Sequence, residues 1–497
     1  MSPRRRTADG VHLTAHAITP DAARVVAKTF LPGQEFFTQG KSRASAVLER
    51  VLAMTEFEVE TLLEEVVESF AHRHRDLNEM LEARFLLVAH RIEDALKLTH
   101  ARRRLIGAYF TQEYAVEAAA LFNPSMVAHP DQSGLPAGTT RFIMSLRGVG
   151  EGHISSVEFR TGTIDADDFV VLDGPSGLTA LPTPIATVYS KAVFAYQLSE
   201  LVDDHGSAQY VMASLPETFG GEELDAAIAS LSDQGLTRGS GTTALDQIEH
   251  IAACNYSMEF SVESAMDERV IIPTGPSESH GLEDVRFVRF TDADGTVEYR
   301  GPYTAFDGLR VVPQMMRTTD FRTFHVSQLA GPAAKDKGMA LFPRQVHGDY
   351  LALSRWDREN NTIALSDDLR FWEESSTLQV PRQAWEIIQV GNCGSPIETA
   401  VGWLVLTHGV GPMRQYSIGA MLLDLEDPRV VLGRLTHPLV SAAGDDRDGY
   451  VPNVVYSCGS LLHGDTLVLP YGCDDSMVRI ALVNVPSLLE SLLPPQP

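Results

Sequence analysis

The sequence predicts a large closed all-β architecture, a β-propeller, preceded by an α-helical region and interrupted by a helical insertion. Apolar residues from Pro20 to about Leu121 recur at helical spacing with few glycines. Beyond Phe122, short strand-like runs alternate with Gly, Asp, Asn and Pro. These strand–turn–strand units recur with loosely similar endings over a span that suits a propeller better than a sandwich. The expected division is a helical region over 1–120 and a catalytic-size β domain over 121–497, with the insertion at about 189–253.

In the first region, Val47, Leu48, Val51 and Leu52 line one helical stripe while Glu49 and Arg50 fall off it. NEMLEARFLLVAHRIEDAL and ARRRLIGAYFTQEYAVEAAALF continue the pattern. The Arg102–Arg104 run reads as a solvated helix face in preference to an anion site. In the second region the strands include RFIMSLRG, DFVVLDG, MALFPRQVHGDYLALSR, GWLVLTHGV and DTLVLPYGCDD. DADG and VHGD sit between alternating apolar runs, where a tight hairpin turn requires residues tolerant of positive φ. KAVFAYQLSELVDD, GGEELDAAIASLSD and TTALDQIEHIAA read as the helices of the insertion, which could shape a pocket, form a subunit contact or merely decorate the surface.

The chain has 497 residues, a mass of 54.4 kDa and a formal net charge of −26. That excess of acid argues against nucleic acid and anionic membranes as partners. Cys254, Cys393, Cys458 and Cys473 show no CxxC spacing and suit reduced thiols. The basic start MSPRRR lacks an apolar h-region, and no apolar stretch reaches the ~20 residues of a membrane helix, so a cytoplasmic setting is expected. No P-loop, dinucleotide fingerprint or Gly-x-Ser-x-Gly elbow occurs.

Three constellations carry chemistry. Glu283 and Asp284 precede a strand and Arg286; on an extended segment only one of the two faces a given cavity, where it could act as a general acid in glycosyl transfer. The competing reading is a solvated acidic turn paired with Arg286. Lys337, Arg344 and Arg355 flank a hairpin, and their convergence would suit phosphate, a sugar phosphate or a carboxylate, with scattered surface cations as the alternative. Tyr450, Asn453, Tyr471, Asp474 and Asp475 mix rings and short polar groups suited to sugar recognition. His408 and His437 lack partners at metal-binding spacing, so no metal is expected.

From FNPS at 122–125 to the C-terminus, ordered blocks resemble glycoside hydrolase family 130, the β-mannoside phosphorylases and related β-mannosidases. They are GLEDVR for G-[VI]-E-D-P-R, YTAFDG for YTAYDG, ALFPR…LALSR, GSPIET…GWLVLTHGV, YSIGAMLLDLEDP, GYVPNVVYSCG and YGCDD. The helical N-terminal region and the insertion lie outside the resemblance, as in a long-form member. The resemblance implies a five-bladed β-propeller acting with inversion, with Asp284 as the general acid working through a hydroxyl of the mannose. It implies Asn123, Arg147, Tyr303, Asp307 and Asp475 around the sugar, and Lys337, Arg355, His408 and Tyr416 near phosphate or the leaving sugar.

Val285 departs from the family's Pro. Glu398 stands in PIET where many phosphorylases have Lys; a carboxylate there would repel phosphate and could activate water. That departure pulls towards hydrolysis, whereas Lys337, Arg344 and Arg355 pull towards phosphorolysis; the leading expectation is phosphorolysis of a β-mannoside to mannose 1-phosphate, with inorganic phosphate as co-substrate and no cofactor. An inverting β-mannosidase with Glu398 or another carboxylate as base is the first alternative, and a non-catalytic sugar-binding propeller the second. The N-terminal helices are a candidate homo-oligomer interface.

Overall fold

The computed structural model describes residues 7–8, 10–33, 42–201, 205–233, 240–442 and 449–493. The chain divides into two compact units: Met1–Pro20, Ala119–Pro175 and Leu181–Pro497 form one, and Asp21–Ala118 with Ser176–Ala180 the other. Residues 1–20 thus do not belong with the helices, as a boundary at 120 implied.

In the smaller unit the strands Val25–Thr29 and Thr111–Ala115 pair antiparallel, and between them run the helices Arg43–Leu52, Glu56–Phe70, Leu77–Ala89 and His100–Tyr109. Thr55 and Glu58 form a capping box on the second helix, and Ser42 and Thr99 cap the first and fourth. Leu48, Val51, Val59, Phe85, Leu105 and Ile106 form the core. Arg102 is not on a solvated face. It is buried, pairs with Glu56 and donates to the carbonyls of Val51 and Met54, satisfying acceptors left open where the first helix ends.

The larger unit contains, among the described residues, five successive antiparallel meanders of four strands. The first runs from Ala120–Ala128 through Thr140–Val149 and Ser155–Ile164 to Val170–Leu172. A single parallel bridge, Gly281 to Ser155, links it to the second, which comprises Gly281–Glu283 with Val288–Thr291, then Val297–Phe306, Val311–Thr318 and Thr323–Gln328. Gly281 has φ +139, and a Cβ there would lie 2.8 Å from the Ser155 nitrogen, so this crossing needs glycine. The third meander is Ala340–Leu341, Tyr350–Ser354, Asn361–Ser366 and Glu374–Gln379. The fourth is Gln389–Asn392 with Ile397–Thr399, Gly402–Val410, Tyr416–Leu423 and Val431–Arg434. The fifth takes Val455–Tyr456 with Leu461–His463, Thr466–Cys473 and Met477–Asn484, and its fourth strand is Val11–Ile18 from the start of the chain. DADG and VHGD both form tight turns, with Gly295 at φ +85 and His347 and Gly348 both at positive φ.

The meanders pack face to face in a closed order. Val288 and Met315 of the second meet Leu341 and Ala352 of the third. Leu353 and Ile363 meet Trp403 and Val405 of the fourth, and Leu404 and Ile418 meet Leu467 and Val483 of the fifth. Val468 and Ile480 then return to Leu121 and Phe142 of the first. Phe159 of the first packs on Phe287 and Phe324 of the second, with centroids 6.5 and 6.2 Å away. The leading strands are interrupted at one level: by a register shift between Phe122 and Ser125, and by gaps at 284–287, 393–396 and 457–460.

The insertion forms the helices Lys191–Leu201, His205–Ser214, Gly221–Asp233 and Ser240–Cys254, with Phe194, Leu198, Val211, Leu215, Ile248 and Ile251 as its own core. All four cysteines are buried and form no disulfide. Among the described residues no helix is long and apolar enough to cross a membrane.

Removing residues 1–18 strips Met477–Asn484 of its outer neighbour. The expected result is a fall in Tm of about 5 °C or more, since each lost kcal/mol shifts a domain this large by only a few degrees. Calorimetry checks it; an unchanged transition would show the strand to be dispensable.

Candidate active site

Short polar residues lie at two of the interruptions in the leading strands, at Asn123 and Asp284, and in the turns that flank strands of the fifth meander. Asn123, Asp284, Asn453, Asp474 and Asp475 all adopt left-handed backbone, at φ +50, +59, +66, +51 and +48. Asn and Asp tolerate this conformation better than other side-chain-bearing residues, which explains their use at these turns.

A cavity of about 180 Å³ joins Asn123, Arg147 and Asp284 from the first two meanders to Lys337, Arg355, His408, Arg414, Tyr416, Tyr456 and Asp475 from the others. Asn123 Nδ2 donates to Asp284 Oδ1 at 2.7 Å. Arg147 reaches the same oxygen at 3.4 Å and pairs with Glu283 at 2.7 Å, while Lys337 contacts the other Glu283 oxygen. The adjacent carboxylates therefore divide their work. Glu283 anchors two cations, and Asp284 faces the cavity. Burial pushes the Asp284 carboxyl up, but the charges of Arg147, Lys337 and Arg286 and the Asn123 amide outweigh it and hold the group below the usual carboxylate range.

On the other side, Arg355 donates to His408 Nε2 at 3.2 Å, and His408 Nδ1 lies 3.1 Å from the Asn392 carbonyl. Nε2 is thus an acceptor and Nδ1 carries the proton. Burial and the nearby Arg355 and Arg286 charges push His408 well below its usual value, so the ring is neutral. Arg355 forms no ion pair among the described residues, and its Nε is buried without a partner. Tyr416 stacks on His408 with centroids 6.0 Å apart, and Tyr456 accepts from Arg286 at 2.8 Å. Burial pushes Asp475 up to about 7, with Asp284 adding to the effect and Arg147 and Arg414 opposing it.

Five expected site residues lie elsewhere. Tyr303 is 4% exposed and hydrogen-bonds within the core to Glu278 and Gln314, because strand alternation turns its ring away from the cavity. Asp307 accepts from the backbone nitrogens of Leu309 and Arg310 at 2.8 and 2.6 Å and so closes a turn. Asn453 contributes backbone: its nitrogen donates to Asp474 and its carbonyl accepts from Tyr416, each at 3.0 Å. Arg344 and Glu398 hold each other in a bidentate pair at 2.7 and 2.9 Å. They line a separate cavity of about 370 Å³, together with Val127 and Ala128. Neither Arg344 nor Glu398 lines the Asp284 cavity. Glu398 therefore does not face a water beside Asp284 and is withdrawn as its base.

Arg414 and Tyr456 were missed, while Glu283 and Arg286 were noted beside Asp284 without the scaffold role they take here. Arg414 follows Met413 in the Gly411–Gln415 turn, both at positive φ, and its guanidinium lies 5.8 Å from the Tyr416 ring centroid. Its place next to the Tyr416 strand was the available signal. Among the described residues no cluster of His, Cys, Asp and Glu could hold a metal ion.

A family profile described as beta-1,4-mannooligosaccharide phosphorylase matches residues 251–492. A 1,2-beta-oligomannan phosphorylase of Thermoanaerobacter sp. (strain X514) is 34% identical over 228 residues, which span 44% of this chain and 74% of that protein. The chain belongs to glycoside hydrolase family 130. A second family 130 relative, a beta-1,2-mannobiose phosphorylase of Listeria innocua serovar 6a, is 30% identical over 46% of this chain and 64% of its own. The solved beta-1,2-mannobiose phosphorylase from Listeria innocua, in complex with beta-1,2-mannobiose, aligns with a TM-score of 0.45 at 20% identity, covering 76% of this chain and 93% of that one.

Because the folded-state value of Asp475 lies above that of an unfolded aspartate, its contribution to stability is complete below about pH 4 and is lost as pH rises towards about 7. Asp475→Asn is expected to be more stable than the parent by about 2 kcal/mol at pH 8, with the gap closing near pH 4. Urea unfolding at the two pH values measures it; a gap independent of pH would mean that the carboxyl stays ionised throughout.

Proposed function

We propose that this protein is an inverting β-mannoside phosphorylase, built on a five-bladed β-propeller whose blades are the five meanders. The reading rests above all on one observation. Lys337, Arg355 and Arg414 line the same cavity as Asp284, and Arg355 has no anionic partner among the described residues. Such a guanidinium invites a phosphate, which is already a nucleophile and requires positioning in place of a base.

In this mechanism a phosphate oxygen, oriented by Arg355 and Lys337, attacks the anomeric carbon from the face opposite the glycosidic bond. The carbon–oxygen bond breaks, and the departing oxygen takes the proton supplied by Asp284, passed through a sugar hydroxyl. The products are mannose 1-phosphate and the shortened saccharide. Asp284 must be protonated to serve, yet the surrounding cations hold it ionised in the free protein. Bound phosphate would draw on the same Lys337 and Arg147 charges and raise the acid's proton affinity. Asn123, Arg147 and Asp475 hold the mannosyl ring, while His408, Tyr416 and Arg414 border the phosphate and leaving-sugar side. The names of both reported relatives favour a β-1,2-linked mannoside. Inorganic phosphate is the co-substrate, with no further cofactor.

Incubation with β-1,2-mannobiose should yield mannose 1-phosphate only when phosphate is supplied; free mannose at a phosphate-independent rate would establish a hydrolase instead. Asp284→Asn should lower turnover by about a thousandfold, the middle of the range for a lost general acid. Glu398→Gln should stay within about threefold of the parent, because it breaks only a half-exposed pair worth under ~1 kcal/mol. A large loss in Glu398→Gln would restore that residue to the site.

A further inference from the structure

A second cleft, of about 200 Å³, lies where the insertion meets the outer strands of the second meander. One row of side chains crosses three neighbouring strands on one face, Val311–Thr318, Thr323–Gln328 and the further strand Tyr256–Glu259 that pairs with the latter: Arg317 is the register partner of His325, and His325 that of Ser257. Arg370 faces the same cleft. Arg317 has only Glu298, at a loose 3.8 Å, and the Arg370 guanidinium has no ion pair or hydrogen bond among the described residues. Two guanidiniums and an imidazole share this small volume in a chain with a net charge of −26. Neighbouring like charges oppose one another unless an anion sits between them.

The opposite wall comes from the insertion. Gln197, on the helix Lys191–Leu201, is 3% exposed; its Nε2 donates to the Gln328 carbonyl at 3.2 Å, while its Oε1 is buried with no partner. A buried carbonyl oxygen left open costs free energy that a ligand hydroxyl would recover. Val193 and Phe194 supply apolar surface beside it. The cleft therefore offers cations, an acceptor for a hydroxyl and an apolar flank.

The geometry points to a binding site for a small hydroxylated phosphate monoester, such as a hexose phosphate, with the phosphoryl group on Arg317 and Arg370 and a hydroxyl on Gln197. This site is separate from the Asp284 cavity and does not depend on the reaction performed there. A ligand in it would bridge the insertion and the second meander.

The test is calorimetric titration of the full chain carrying Arg355→Ala, which weakens anion binding at the Asp284 cavity. Mannose 6-phosphate, inorganic phosphate and mannose are the probes. A saturable site for mannose 6-phosphate is expected, weakened about tenfold or more by Arg370→Met and about threefold or more by Gln197→Leu, while any binding of mannose at the Asp284 cavity is unchanged by either substitution. Val193→Trp, which fills the cleft from its apolar side, should abolish binding and serves if Arg370→Met fails to fold. The proposal is overturned by no saturable binding up to about 10 mM, a range that would still reveal a weak site. It is equally overturned if binding is indifferent to both Arg370→Met and Val193→Trp. Inorganic phosphate binding as tightly as the ester, with no effect of Gln197→Leu, would show an anion site only and also defeat it.

Discussion

The arrangement of the candidate site depends on one electrostatic constraint: a buried carboxylate, Asp284, must be kept among cations without being neutralised by any single one of them. Glu283 makes this possible. It takes the close contacts of Arg147 and Lys337, so that Arg147 reaches Asp284 only at 3.4 Å and the catalytic candidate is left hydrogen-bonded by the neutral Asn123 amide. Backbone geometry serves the same end. A regular strand would send Glu283 and Asp284 to opposite faces; the left-handed turn at Asp284 lets the first act as scaffold and the second face the cavity.

The other half of the cavity follows a related logic. Asn392 accepts from Arg286 at 2.7 Å through its side chain, and its backbone carbonyl fixes the protonated nitrogen of His408. His408 in turn offers a lone pair to Arg355. A neutral imidazole orients a guanidinium without discharging it, whereas a carboxylate in that position would satisfy it outright. Arg355 is thereby ordered and still electrostatically hungry for an anion.

Much of this was legible in the chain. Asp284, Asn123, Arg147, Lys337, Arg355, His408, Tyr416 and Asp475 all reach one cavity, and the ordered blocks contain all of them except Arg147 and Lys337. The failures have common physical causes. Tyr303 and Asp307 lie in a recognisable block, but alternation along a strand and a locally satisfied turn decide where they point, and neither is encoded in the block itself. Arg344, in the loop before Tyr350–Ser354, and Glu398, on Ile397–Thr399, are drawn together by their mutual ion pair in another cavity, a pairing across 54 residues that neither local block encodes. Arg102 read as solvated because a run of three arginines carries no sign of the carbonyls that one of them would meet. The strand Val11–Ile18 was invisible because its partner, Met477–Asn484, lies at the far end of the sequence and local propensity says nothing about such pairings.

That last pairing has a consequence for synthesis. The helical unit needs only Ser176–Ala180 beyond Asp21–Ala118, whereas the strand Val11–Ile18 just before it must wait until Met477–Asn484 is translated. At ~5–20 residues per second that is a delay of roughly half a minute to a minute and a half, during which an amphipathic strand and four unclosed meanders are exposed. The nascent chain is therefore a natural client for chaperones, and its order of assembly is fixed by topology: Val11–Ile18 is made long before the other strands of its sheet and is among the last to find its place.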